Sequence, residues 1–116
     1  MPLDRRFSQI SPARQALVRL CQAANFGEIT HLRIKGSEPV FDPPPPVLLD
    51  VKLDSDEGGR PELQLTDFVL SREVCQLLGR IDEIKDGKIE RIEVRAGIPR
   101  RMVFESRWPC SGEVQR

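Results

Sequence analysis

Ser71-Arg-Glu-Val-Cys-Gln-Leu-Leu-Gly-Arg-Ile-Asp-Glu-Ile-Lys-Asp-Gly87, Lys88-Ile-Glu-Arg-Ile-Glu-Val-Arg95, and Ala96-Gly-Ile-Pro99 followed by Arg100-Arg-Met-Val-Phe-Glu105 decide the fold. Ser71 suits a helix N-cap, because its hydroxyl can accept from an amide left unpaired in the first turn. Val74, Leu77, Leu78, Ile81 and Ile84 then recur at helical spacing on one face. Gly87 stops the helix, Lys88 to Arg95 continues as a strand, Gly97-Ile-Pro99 turns it, and Arg100 to Glu105 returns.

The same grammar occurs sixty residues earlier. Ser11-Pro12 opens a helix with a capping serine and a proline at the position where a missing N–H costs nothing. Ala13, Leu17, Leu20, Cys21 and Ala24 form its apolar stripe, with Arg14, Gln15, Arg19 and Gln22 facing away. Asn25-Phe26-Gly27 ends it, with Gly27 as the residue expected to turn left-handed. Glu28 to Lys35 follows as a strand, turned by Gly36-Ser-Glu-Pro39. Ser11, Leu17, Gly27, Ile29 and Pro39 reappear as the same residues at Ser71, Leu77, Gly87, Ile89 and Pro99. Five identities are as consistent with two units obeying one set of physical rules as with duplication; either way the halves should share local structure. In both strands the apolar residues (29, 32, 34 and 89, 92, 94) break strict alternation. Ile29 and Ile89 are therefore expected beneath the preceding helix.

The middle differs. Phe41-Asp-Pro-Pro-Pro-Pro46 lacks the N–H donors of a central strand. Val47, Leu49, Val51 and Leu53 alternate, Asp54 to Pro61 reads as a polar turn, and Glu62 to Asp67 reads as another short strand. These observations predict a two-layer α+β domain. Two helices cover one face of a mostly antiparallel sheet built from two similar helix–strand–strand units, with an extra hairpin arm between them. Residues 1–10 are assigned to an irregular lead-in, 11–107 to one domain with related segments 11–53 and 71–106, and 108–116 to a tail.

With 116 residues, 39% apolar and 31% charged, the chain is the size of one globular domain. Eighteen basic and eighteen acidic residues leave no net field for nucleic acid or an anionic membrane. Residues 37–67 carry eight acidic and two basic groups, between more basic flanks, which allows self-complementary surfaces. Three cysteines without a CxxC motif, no apolar leader and no membrane-length apolar run predict a cytoplasmic protein.

Several stretches carry residue types suited to chemistry or binding. Pro43, Pro44, Pro45 and Pro46 favour a polyproline II helix. With Phe41 they resemble the phenylalanine-plus-four-prolines ligands of proline-recognising domains, departing from them at Asp42; a stiff connector accounts for the same residues. Asp54-x-Asp56-x-Gly58-Gly59 lacks the later ligands of a calcium loop, and no metal or cofactor site is expected. His31, the one histidine, has no Cys/His/Asp/Glu cluster in sequence; a catalytic pairing with Cys21 or Cys75 requires assembly through the fold. Arg91, Arg95, Arg100 and Arg101 with Trp108 are the candidate binding residues, suited to phosphate or carboxylate and to stacking. Glu90, Glu93 and Glu105 lie among them, as cross-strand ion pairs on a solvated face would require. No phosphate loop, HExxH or GxSxG motif is present. The expected function is a non-enzymatic protein-interaction module, able to self-associate as a homodimer. A nucleic-acid-binding protein and a Cys/His enzyme are the alternatives.

Overall fold

The computed structural model describes residues 5–54 and 65–105. Helix α1, Pro12–Ala24, starts as its sequence dictates: the Arg14 amide donates to Ser11 Oγ at 3.2 Å, with proline in the first turn. Helix α2, Arg72–Ile84, repeats the arrangement, the Val74 amide donating to Ser71 Oγ at 3.2 Å. Neither helix ends at a left-handed glycine. Asn25 (φ 62°, ψ −67°) and Lys85 (φ 63°, ψ −63°) make the turn instead. The Phe26 amide donates to Ala24 O at 2.7 Å and the Asp86 amide to Ile84 O at 2.6 Å, three-residue γ-turns that drop the chain directly into a strand.

Strand β1, Gly27–Lys35, and strand β4, Gly87–Arg95, are the antiparallel centre of the sheet. Strand β2, Glu38–Val40, and strand β3, Val47–Leu49, both pair with β1 on its outer edge; strand β5, Ile98–Phe104, pairs with β4. Gly36-Ser37 and Ala96-Gly97 all have φ between 54° and 76°, the conformation of two-residue hairpin turns whose twist matches their strands. Pro39 and Pro99 lie just after these turns, on edge strands where a missing donor is tolerated. His31, with φ 55°, interrupts the alternation of β1, and β4 shifts register against β5 between Ile89 and Arg91. Such irregularities let Ile29 and Leu32, and Ile89 and Ile92, all turn inward.

Both helices pack on the face formed by Ile29, Leu32, Ile34, Ile89, Ile92 and Val94, which meet Leu17, Val18, Cys21, Val74, Leu77, Leu78 and Ile81. Each aliphatic side chain fully removed from water contributes roughly 1.5–3 kcal/mol, so this layer is the main source of stability. The two-layer α+β architecture is therefore the observed one. Among the described residues no helix is long and apolar enough to cross a membrane.

Four local expectations are corrected. Arg14 and Gln22 do not face water but are buried, at 7% and 6% exposure. Arg14 is held by the Ser37 carbonyl at 2.8 Å and by Asp82 of α2, and Gln22 Oε1 accepts from Arg19 at 2.9 Å. The segment after the prolines forms no separate arm: only Val47–Leu49 is strand, and it returns to β1 on the edge already used by β2. Four prolines cannot donate to a ladder, so the chain bulges off the edge at 41–46 and rejoins it afterwards. Leu65–Asp67 is not strand, while residues 55–64, with the glycine pair of the calcium-loop comparison, lie outside the described residues.

The fourth correction concerns the assigned lead-in. Phe7–Gln9 is a 3-10 helix, and Phe7 and Ile10 are buried in the core. Arg6 bridges Val69, the Phe7 amide donates to Phe68 O at 2.8 Å, and the Leu70 amide donates to Arg5 O at 2.7 Å. Stacked Phe7 and Phe68 rings (centroids 4.9 Å apart) complete this ladder, with the Arg19 guanidinium 4.4 Å from the Phe7 ring centre.

Arg6 Nε, 2.8 Å from Asp67 Oδ2, and the Ser8 amide, 2.9 Å from Oδ1, lower the Asp67 pKa from 3.8 to about 2. A carboxylate depressed by folding stabilises the fold above its unfolded value, and that stability is lost as pH falls through the folded one. Asp67→Asn should thus be less stable than the parent in urea at neutral pH. The gap should narrow as pH drops from about 4 towards about 2; a gap independent of pH would contradict the ion pair.

Candidate interaction site

Arg91 and Arg95 alternate with the buried Ile92 and Val94, so they lie on the sheet face turned away from the helices, interleaved with acids. Arg91 Nε lies 3.5 Å from Glu93 Oε2, and Arg101 Nη1 lies 4.0 Å from the same oxygen. Lys88 and His31 flank Glu90 at 3.6 and 3.7 Å. Arg100 points to α2 instead, donating to Glu73 at 3.1 Å beside a groove of about 270 Å³ floored by Leu77, Ile92 and Met102. Arg95 makes no ion pair among the described residues and borders a different groove. Trp108 lies outside the described residues. The fold therefore brings Arg91 and Arg101 to one glutamate, while Arg100 and Arg101 both border the groove beside α2. Exposed pairs of this kind are worth at most about 1 kcal/mol each; their consequence is a face with signs mixed at close range.

The cysteine–histidine combination does not assemble. Cys21 is 1% exposed in the core and burial pushes its thiol pKa up to about 12, so it carries no thiolate near neutral pH. His31 is exposed beside Glu90. Cys75 packs partly against the core; Cys110 lies outside the described residues. Among the described residues no group of three or more His, Cys, Asp or Glu side chains is placed to hold a metal ion.

The edge at β3 has a different character. The Thr30 amide donates to Pro46 O at 2.9 Å and the Asp50 amide to Phe26 O at 2.8 Å. By the alternation of an antiparallel ladder, the amide of Leu49 then points away from β1. Among the described residues no strand pairs with that outer edge. Leu48 and Leu49 are 59% and 60% exposed, so the edge is apolar as well as unpaired, and Val51 and Leu53, just past the strand, are 63% and 95% exposed. Pro45 is buried while Pro43, Pro44 and Pro46 are exposed, so the proline segment anchors the entry to β3. A groove of about 440 Å³ runs beside the edge, bounded by Phe26, Leu48, Leu49 and Val94 and by Glu28, Asp50, Glu93 and Arg95.

Alternation over Val47–Leu53 marked the segment as amphipathic. It did not reveal that Leu49, Val51 and Leu53 would meet water, because that depends on β3 being the last strand of its edge. No family model matches this chain, and neither a curated protein nor a solved structure does.

Proposed function

We propose that this chain is a non-enzymatic protein-interaction module that accepts a partner's extended segment on the outer edge of β3. The observation that carries this reading is the pair of exposed leucines, Leu48 and Leu49, on an unpaired strand edge, continued past the strand by exposed Val51 and Leu53. Natural sheets ordinarily blunt such edges with charge, proline or a bulge. β5 follows that rule with Pro99, Arg100 and Arg101, whereas β3 presents leucines. Backbone pairing would supply affinity, and the groove beside Leu48 and Leu49 would select apolar side chains. Glu28, Asp50 and Glu93 outnumber Arg95 around the groove and favour a partner with basic residues flanking its apolar ones. Free Cys21 and Cys75 suit action in a reducing compartment such as the cytoplasm. Support for this reading over nucleic-acid binding comes from the glutamate partners of Arg91, Arg100 and Arg101, which leave little basic surface for a phosphate backbone.

A photo-crosslinking residue placed at Leu49 should capture a discrete protein from extract of the source cells. The same probe at Arg72 should not. Excess unlabelled protein should compete the adduct away, whereas excess protein carrying Leu48→Asp and Leu49→Asp should not compete. Equal capture at both positions, or competition by the double variant, would remove the edge from consideration.

A further inference from the structure

The register of the two central strands contains a second message, on a surface separate from the β3 edge. Gly27 faces Val94 and Ile34 faces Gly87; Ile29 faces Ile92 and Leu32 faces Ile89. Because α2 and β4 have the bounds of α1 and β1 displaced by sixty residues, this register maps onto itself when the two halves are interchanged. The clasp across the halves does the same: the Gly97 amide donates to Asn25 O at 2.9 Å, and the Ser37 amide to Lys85 O at 2.8 Å. These bonds use backbone alone, so they do not depend on which half sits opposite which.

The side chains do depend on it. Within the closed chain, Glu28 stands opposite Glu93 and Arg33 opposite Lys88, two like-charge pairs at the middle of the sheet. Replacing each half's partner by a copy of itself reverses both. Lys88 would then oppose the partner's Glu93, Arg91 the partner's Glu90, and Glu28 the partner's Arg33. The buried layer would hardly notice, since Ile89 would meet the partner's Ile92 and Ile29 the partner's Leu32, all of nearly equal volume. Other contacts hold the halves as they are. Arg14 needs Asp82, whose counterpart is Gln22, and Phe7 stacks on Phe68, whose counterpart is Ser8.

We propose that the chain has two folded forms, the closed monomer and an exchanged dimer in which each half pairs with the same half of a second copy. The central sheet charges favour the exchanged form; the Arg14–Asp82 pair and the Phe7–Phe68 stack select the closed one. Specificity here is a difference between two interfaces built on one backbone.

The test uses the full chain, refolded at high concentration and separated by size with light scattering. The parent should yield a minor dimer, and Asp82→Asn should raise the dimer-to-monomer ratio about tenfold. Adding Glu28→Lys and Lys88→Glu to either protein should suppress the dimer, because these changes make the closed pairs attractive and the exchanged ones repulsive. Lys88→Cys with Glu93→Cys identifies the interface independently of stability. Along one strand those positions are about 16 Å apart, beyond disulfide reach, whereas in the exchanged dimer each faces the other across chains. An intermolecular bond joining position 88 to position 93 is the expected product. Absence of a parent dimer, a dimer indifferent to the charge changes, or links joining 88 to 88 and 93 to 93 would each overturn the proposal.

Discussion

Ile92→Ala is expected to lower the unfolding free energy by about 2–5 kcal/mol, the range for emptying a fully buried aliphatic site. Ile92 is 0% exposed in β4, opposite Ile29 and beside the helix layer. A cavity there would be lined by residues of both halves. The natural comparison is Arg91→Ala, one residue away on the charged face, which should change stability by no more than about 0.5 kcal/mol. Urea unfolding of the two variants separates the faces of the sheet. Equal losses would contradict the assignment of Ile92 to the buried face and Arg91 to the solvated one.

Gly27→Ala should cost about 1–3 kcal/mol through overpacking, whereas Gly87→Ala should cost far less. The two glycines hold equivalent places at the starts of β1 and β4 and neither has a left-handed φ. At Gly27 an added Cβ would collide with the backbone carbonyl of Leu48, and a backbone atom in a ladder cannot move without breaking the pairing of β3. At Gly87 the nearest atom is the Ile84 Cγ2 methyl at 3.2 Å, the end of a side chain that can shift slightly. Gly27→Ala should also abolish capture at the Leu49 crosslinking position, because β3 would be displaced. If both alanine variants matched the parent, β3 would not lie against β1 as described.

The parts of the fold legible in the sequence were those encoded by near neighbours. Serine hydroxyls three residues ahead of an amide and apolar residues at helical spacing act over a few positions, whereas the second hairpin turn falls at Ala96-Gly97 and not at the expected Gly97-Ile-Pro99, so the return strand begins at Ile98. The residues ending the helices differ from the glycines expected: Asn25 is a residue type that tolerates positive φ, whereas a γ-turn centred on Lys85 has no signature in the side chain. Arg14 was placed outside because its partner, Asp82, is distant in sequence and belongs to the other helix. For the segment around Phe7 a signal existed. Ile10 and Leu70 each stand immediately before a capping serine, and both are buried. The candidate site was legible only in outline. Tetraproline followed by alternating apolar residues excluded a central strand at 41–46, but the exposure of Leu49, Val51 and Leu53 follows from tertiary position, and so does the approach of Arg91 and Arg101 to Glu93.

Residue-resolved hydrogen exchange on the free, full-length protein tests the open β3 edge most directly. Amides of Ile29, Leu32 and Ile92, at the paired centre, should exchange near the rate set by global unfolding, while the outward amide of Leu49 should exchange orders of magnitude faster. A Leu49 amide as slow as those of the central strands would mean that the edge is already covered, and the proposed site would not exist in the free protein.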